Sequence, residues 1–138
     1  MYHWRGKDLV APLAAAIHLG YFPPRVETEE EFRFLRRQFL PFGQALKGAA
    51  RGVLLPMGQG GGGEAVYILA TGKKPDLLLK TLAQMLPLLG EDPSNYRFIN
   101  CQTYFNREKS GKDQGGAGHC GWYNRIGQMV GQVQRGLL

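Results

Sequence analysis

The spacing of hydrophobic and polar positions changes several times along the chain, and each change marks an element. Residues 1–4 are a very short, mostly apolar start that reads as a strand. Residues 5–8 are polar, and residues 13–19 then read as a helix that is apolar nearly all round. Pro12 suits a first helical position, where its missing N–H costs nothing, and Gly20 is a natural stop. A helix without a polar face has to be buried, here against a sheet. Residues 21–26, with Pro23 and Pro24, form a connector.

The stretch "TEEEFRFLRRQF" is helical by every local criterion. Thr28 and Glu31 form a capping box, and Glu29, Glu30 and Glu31 sit at the positive end of the helix dipole. Arg36 and Arg37 sit at its negative end, and Phe32, Leu35 and Phe39 give the apolar stripe. "RGVLLPMG" and "EAVYILAT", joined by "QGGGG", predict a β-hairpin with a long tip. Pro56 cannot donate to a ladder, so its strand belongs at an edge or is bulged. Residues 75–89 predict a third helix, with Leu78, Leu82, Met85, Leu86 and Leu89 on one face and Pro87 and Gly90 ending it.

"NYRFINCQT" alternates as a strand. A polar, glycine-rich stretch over 106–121 follows it, and a last helix begins near Trp122 with Ile126, Met129, Val130 and Val133 at helical spacing. Gly127 and Gly131, four apart, read as close packing. The order is β-α-α-β-β-α-β-α. It predicts one α/β layered domain over residues 1–138, a small mixed sheet of about four strands with helices packed on it.

Composition narrows this picture. A chain of 138 residues with 43% hydrophobic and 20% charged content supports a single core. No apolar stretch is long enough to span a bilayer, so no membrane partner is expected. No secretory signal is visible, and the two cysteines, Cys101 and Cys120, read as a reduced cytoplasmic pair. The formal charge is +6, yet the basic residues lie in separate segments. That spread favours a solvated basic surface over a nucleic-acid interface.

Ligands in such sheets collect beyond the carboxyl ends of the strands. After the first strand come His3, Trp4, Arg5, Gly6, Lys7 and Asp8; after the last come Cys101, Thr103 and Asn106. Arg5, Gly6 and Lys7 before a helix start are the anion-binding candidates, without the spacing of a P-loop. His3, Trp4, Asp8, Cys101, Thr103 and Asn106 are candidates to line a pocket there, provided the first and last strands are parallel neighbours. Cys101 reads as a buried strand residue in preference to a nucleophile. The glycines at 58–63 lie between strands, so they read as a hairpin tip and not as a phosphate loop. No cysteine or histidine spacing supports a metal, no cofactor motif is present, and His18 reads as a cap to its helix dipole.

The stretch "YHWRGKDLVAPLAAAIHLG", above all Tyr2-His3, Gly6 and "AAAIHLG", resembles the start of a family of functionally uncharacterised proteins found mostly in spore-forming Gram-positive bacteria. The resemblance implies an α/β fold and a site at the loop after the first strand, and carries no reaction. It also implies Tyr-His-Cys at the strand end and histidine and hydroxyl residues opening the helix. Here Trp4 stands in place of the cysteine, Lys7 in place of a glycine, and Leu9, Val10 and Ala11 in place of the polar residues. The expectation is a non-catalytic or degenerate binding or regulatory protein whose ancestral site at that loop is blocked by Trp4 and the apolar residues 9–11; its partner is left open, with a small anionic ligand as one candidate. The alternatives are a phosphate- or nucleotide-handling enzyme using that loop, and nucleic-acid binding through general positive charge.

Overall fold

The computed structural model describes residues 1–4, 10–47, 52–72, 74–101 and 118–136. In chain order these form β1 (Tyr2–Trp4), α1 (Val10–His18), α2 (Glu29–Lys47), β2 (Leu54–Gln59) and β3 (Ala65–Ala70). They continue with α3 (Pro75–Leu88), a short 3-10 helix (Pro93–Asn95), β4 (Ile99–Asn100) and α4 (Gly118–Gln134). The element order and the four-stranded mixed sheet are those the sequence predicts.

The strands lie in the order β2-β3-β1-β4. The short β1 occupies an inner position and runs parallel to both neighbours, with Tyr2 opposite Ile68 and Ile99. β2 pairs antiparallel with β3 at the sheet edge, and its register slips between Pro56 and Gly58. Pro56 is thus accommodated in both ways open to it, on an edge strand and beside a bulge.

Alternation along the strands sorts side chains between two faces. Tyr2, Trp4, Val66, Ile68, Ala70, Ile99 and Cys101 share one core with α1 and with Tyr123, Ile126, Met129, Val130 and Val133 of α4. All nine residues of α1 are buried, because α1 packs on β1 and β3 and again on α4. That sandwiching is the physical reason its sequence has no polar face. His3 and Leu69, opposite each other in the ladder, alternate to the second face and are buried there. Tyr96 follows the 3-10 helix, which contacts α3. The chain runs one way across the sheet from β1 to β3 and back from β3 to β4, and right-handed crossovers of that kind lie on opposite faces.

Local signals hold at the helix ends. Gly20, at φ +82°, closes α1: its N–H donates to Ile17 O at 3.0 Å and that of Tyr21 to Ala16 O at 3.0 Å. At α2, Glu31 N–H donates to Thr28 Oγ1 at 3.2 Å, while the Glu31 carboxylate accepts from Glu27 N–H, one residue before the expected return partner. Four boundaries differ from expectation. α1 starts at Val10, so Pro12 sits third in its first turn, where N–H groups still lack intrahelical acceptors. α2 continues through Pro41, which removes one N–H without ending the helix. α4 begins at Gly118 instead of Trp122. The late strand keeps two paired residues because β1, its only neighbour among the described residues, is itself three long.

Candidate functional site

Three parallel strands present their carboxyl ends along one edge, and that edge carries Trp4, Thr71 and Cys101. The first and last strands are parallel neighbours, the condition on which the pocket expectation rested. Trp4 is 1% exposed and belongs to the core. Its carbonyl accepts from Thr71 N–H at 2.7 Å and from Thr71 Oγ1 at 3.1 Å. The buried threonine therefore ties the end of β3 to the end of β1, one residue beyond the ladder. Sequence reasoning missed Thr71; its signal is a hydroxyl residue after an apolar strand, followed by Gly72 at φ +72° and the Pro75 helix start.

Cys101 is fully buried, and its Sγ reaches Ile99 O at 4.0 Å. A thiol needs an accessible, cation-stabilised setting to act as a nucleophile, and this one lies in apolar packing. His3 is buried on the second face, where burial and then the amino-terminal ammonium push its pKa down to about 4. It is a neutral imidazole at pH 7. Arg5, Gly6, Lys7, Asp8, Thr103 and Asn106 lie outside the described residues, as does Leu9. His119 and Cys120 fall in the first turn of α4.

A second polar cluster sits where α1 ends and β3 begins. Tyr2 Oη and His18 Nδ1 are 2.8 Å apart, and His18 Nε2 and Glu64 Oε1 are also 2.8 Å apart. A carboxylate only accepts, so Nε2 carries the proton and Nδ1 accepts from the Tyr2 hydroxyl. Burial, then the nearby Cys101 and Glu64, raise the Tyr2 pKa and keep the phenol protonated. Glu64 is held below its ordinary value by the His18 hydrogen bond, then by backbone N–H groups. A Cβ at Gly60 would overlap the Glu64 carboxylate, and one at Gly62 would stand 2.8 Å from Oε2. The glycine-rich tip thus makes room for this carboxylate. His18 is not a simple dipole cap: both ring nitrogens are engaged, and its carbonyl accepts from Gln134 Nε2 at 3.3 Å.

This relay runs from a phenol 1% exposed to a carboxylate side chain 45% exposed. Buried as it is, the phenol offers no surface to a substrate; the relay fastens the hairpin tip to α1 and β1. A groove of about 380 Å³ lined by Pro23, Val26, Glu30, Glu31, Phe34 and Leu35 includes none of these residues.

The family model for proteins of unknown function, DUF3189, matches residues 1–109. The chain belongs to the DUF3189 family. No curated protein and no solved structure matches it. The DUF3189 span takes in the whole sheet, α1 to α3, the Trp4–Thr71 tie and the Tyr2–His18–Glu64 relay, and it stops before α4. Among the described residues no helix is long and apolar enough to cross a membrane.

Proposed function

We propose that this DUF3189 protein is a non-catalytic binding or regulatory domain that takes a small anionic ligand at the carboxyl edge of its sheet. The observation that carries the reading is the burial of Trp4, with its carbonyl doubly held by Thr71. The resemblance puts a cysteine at that position, whereas an indole sunk in the core offers no nucleophile. The other thiol at this edge, Cys101, is equally buried. Topology supports a ligand there: the connection from β1 runs toward β3 and that from β3 runs back past β1 to β4, and such reversals of strand order open a crevice at the carboxyl edge. Arg5 and Lys7 supply the positive charge in the β1 loop. A bacterial cytoplasm is the setting that fits a reduced thiol and the sequence's resemblance.

The test is a thermal-shift series with phosphate, nucleotides and sugar phosphates, run alongside assays for phosphate-ester turnover. An anion at 100 times its Kd adds about 2.7 kcal/mol of stability. The expected result is such a shift, lost in Lys7→Ala, with no turnover. Turnover abolished by Arg5→Ala or Lys7→Ala would establish an enzyme instead. Nucleic-acid binding that survives about 200 mM salt would replace the anion site with a nucleic-acid surface.

A further inference from the structure

α3 is apolar over more of its surface than its own packing uses. Leu86 is its one buried residue, and Leu78, Leu79, Leu82 and Ala83 are half-buried. Leu77, Met85, Leu88 and the following Leu89 are 65%, 48%, 86% and 71% exposed. At 100° per residue these four side chains cover roughly 120° of the helix circumference, a continuous stripe. Thr81 on the same side turns its hydroxyl back to Leu77 O at 2.8 Å, so it offers no competing polar donor to water. Among the described residues the remaining large exposed apolar side chains, Tyr21, Phe34, Val53 and Leu54, come from other segments.

The charges around the stripe choose its occupant. Lys74 and Lys80 stand at the amino-terminal half and Glu91 and Asp92 just past the carboxyl-terminal end, all exposed; Asp76 is the single acidic residue of the first turn. A helix that is basic at one end and acidic at the other complements a copy of itself laid antiparallel. The midpoint between Lys74 and Asp92 is residue 83, and so is the midpoint between Leu77 and Leu89. A two-fold axis at Ala83 therefore sets Leu77 against Leu89 of the partner subunit and Lys74 against Asp92 of the partner subunit. Thr81 and Met85, which flank the level of residue 83 on the exposed side, sit at the crossing, and antiparallel dipoles attract.

We propose that α3 is a self-association surface, through which two copies of this chain form an isologous antiparallel dimer. Each copy would bury on the order of 400 Å² of apolar surface from these four side chains, and the charged rim brings the pair near the lower limit of specific interfaces, about 1,000 Å² in total. The dimer is accordingly weak and concentration-dependent, with a Kd of about 1–100 μM.

Sedimentation velocity on the full chain across roughly this range, extended upward to several times the upper Kd, tests it. The expected weight-average mass climbs from 15.3 kDa toward twice that value. Leu88→Glu, at a side chain too exposed to matter for folding, weakens the dimer at least tenfold with an unchanged melting temperature. Lys74→Glu and Asp92→Lys each weaken it several-fold, and combining them restores it, since each subunit then presents the reversed pair. A chain monomeric throughout the range overturns the proposal. So does a dimer indifferent to Leu88→Glu, or a double reversal that fails to recover, because then another surface holds the copies together.

Discussion

His3 and Glu64 make the protein sensitive to acid in two windows that meet near pH 4. The folded-state pKa of His3 is depressed, from 6.5 to about 4, so the unfolded chain binds the proton first. Its contribution is complete above pH 6.5 and is lost as the pH falls toward 4, with a loss on the order of 3 kcal/mol. Glu64 also titrates low in the folded state, so its contribution is present above pH 4.5 and disappears as the pH falls through its lowered value. Thermal melts of the wild type should therefore decline in two steps. His3→Gln should flatten the step between pH 6.5 and 4, and Glu64→Gln the one below it. A single decline unaltered by either variant would show that these groups do not set the acid response.

At the scale of elements, α4 offers two glycines in one helix with opposite roles. A Cβ on Gly127 would overlap the Pro24 carbonyl, a backbone atom that cannot swing away. Tyr123 Oη donates to Pro23 O and Asn124 pairs with Val26 through both N–H and C=O, which pins the connector against that helix face. Gly127→Ala should thus destabilise by about 1–3 kcal/mol despite alanine's better helix propensity. Gly131 meets nothing nearer than Arg135 Nη2 at 4.0 Å, so Gly131→Ala should stabilise by about 0.5–1 kcal/mol. Denaturant melts of the two variants should move in opposite directions. The pattern of residues made α4 legible, because Ile126, Met129, Val130 and Val133 recur at helical spacing, but spacing alone treats the two glycines alike. The same limit applies to the sites. Periodicity sufficed to place His3 and Trp4 at a strand end and His18 at a helix end. It could not bring Glu64, forty-six residues away, onto the His18 ring, nor Thr71 onto the Trp4 carbonyl. Those contacts exist only once β3 has paired with β1, and no local signal specifies that pairing.

For the molecule as a whole, the DUF3189 match and the folded unit have different extents. The match ends at residue 109, yet α4 supplies Tyr123, Ile126, Met129, Val130 and Val133 to the same core that holds Tyr2, Trp4 and Ile68. At about 1.5–3 kcal/mol for each fully buried side chain, those five contribute on the order of 10 kcal/mol, as much as a whole domain's net stability. Without α4, one side of α1 would face water, and α1 has no polar residue except His18 to meet it. A fragment ending at residue 117 should consequently show no cooperative melt and should bind hydrophobic dyes, whereas the full chain melts in one transition. Substituting Ile126→Ala and Met129→Ala in the full chain should give a graded form of the same defect, about 2–5 kcal/mol each. A truncated fragment that still unfolds cooperatively would place the stability of the fold in the sheet and its first helices, and would reduce α4 to an accessory layer.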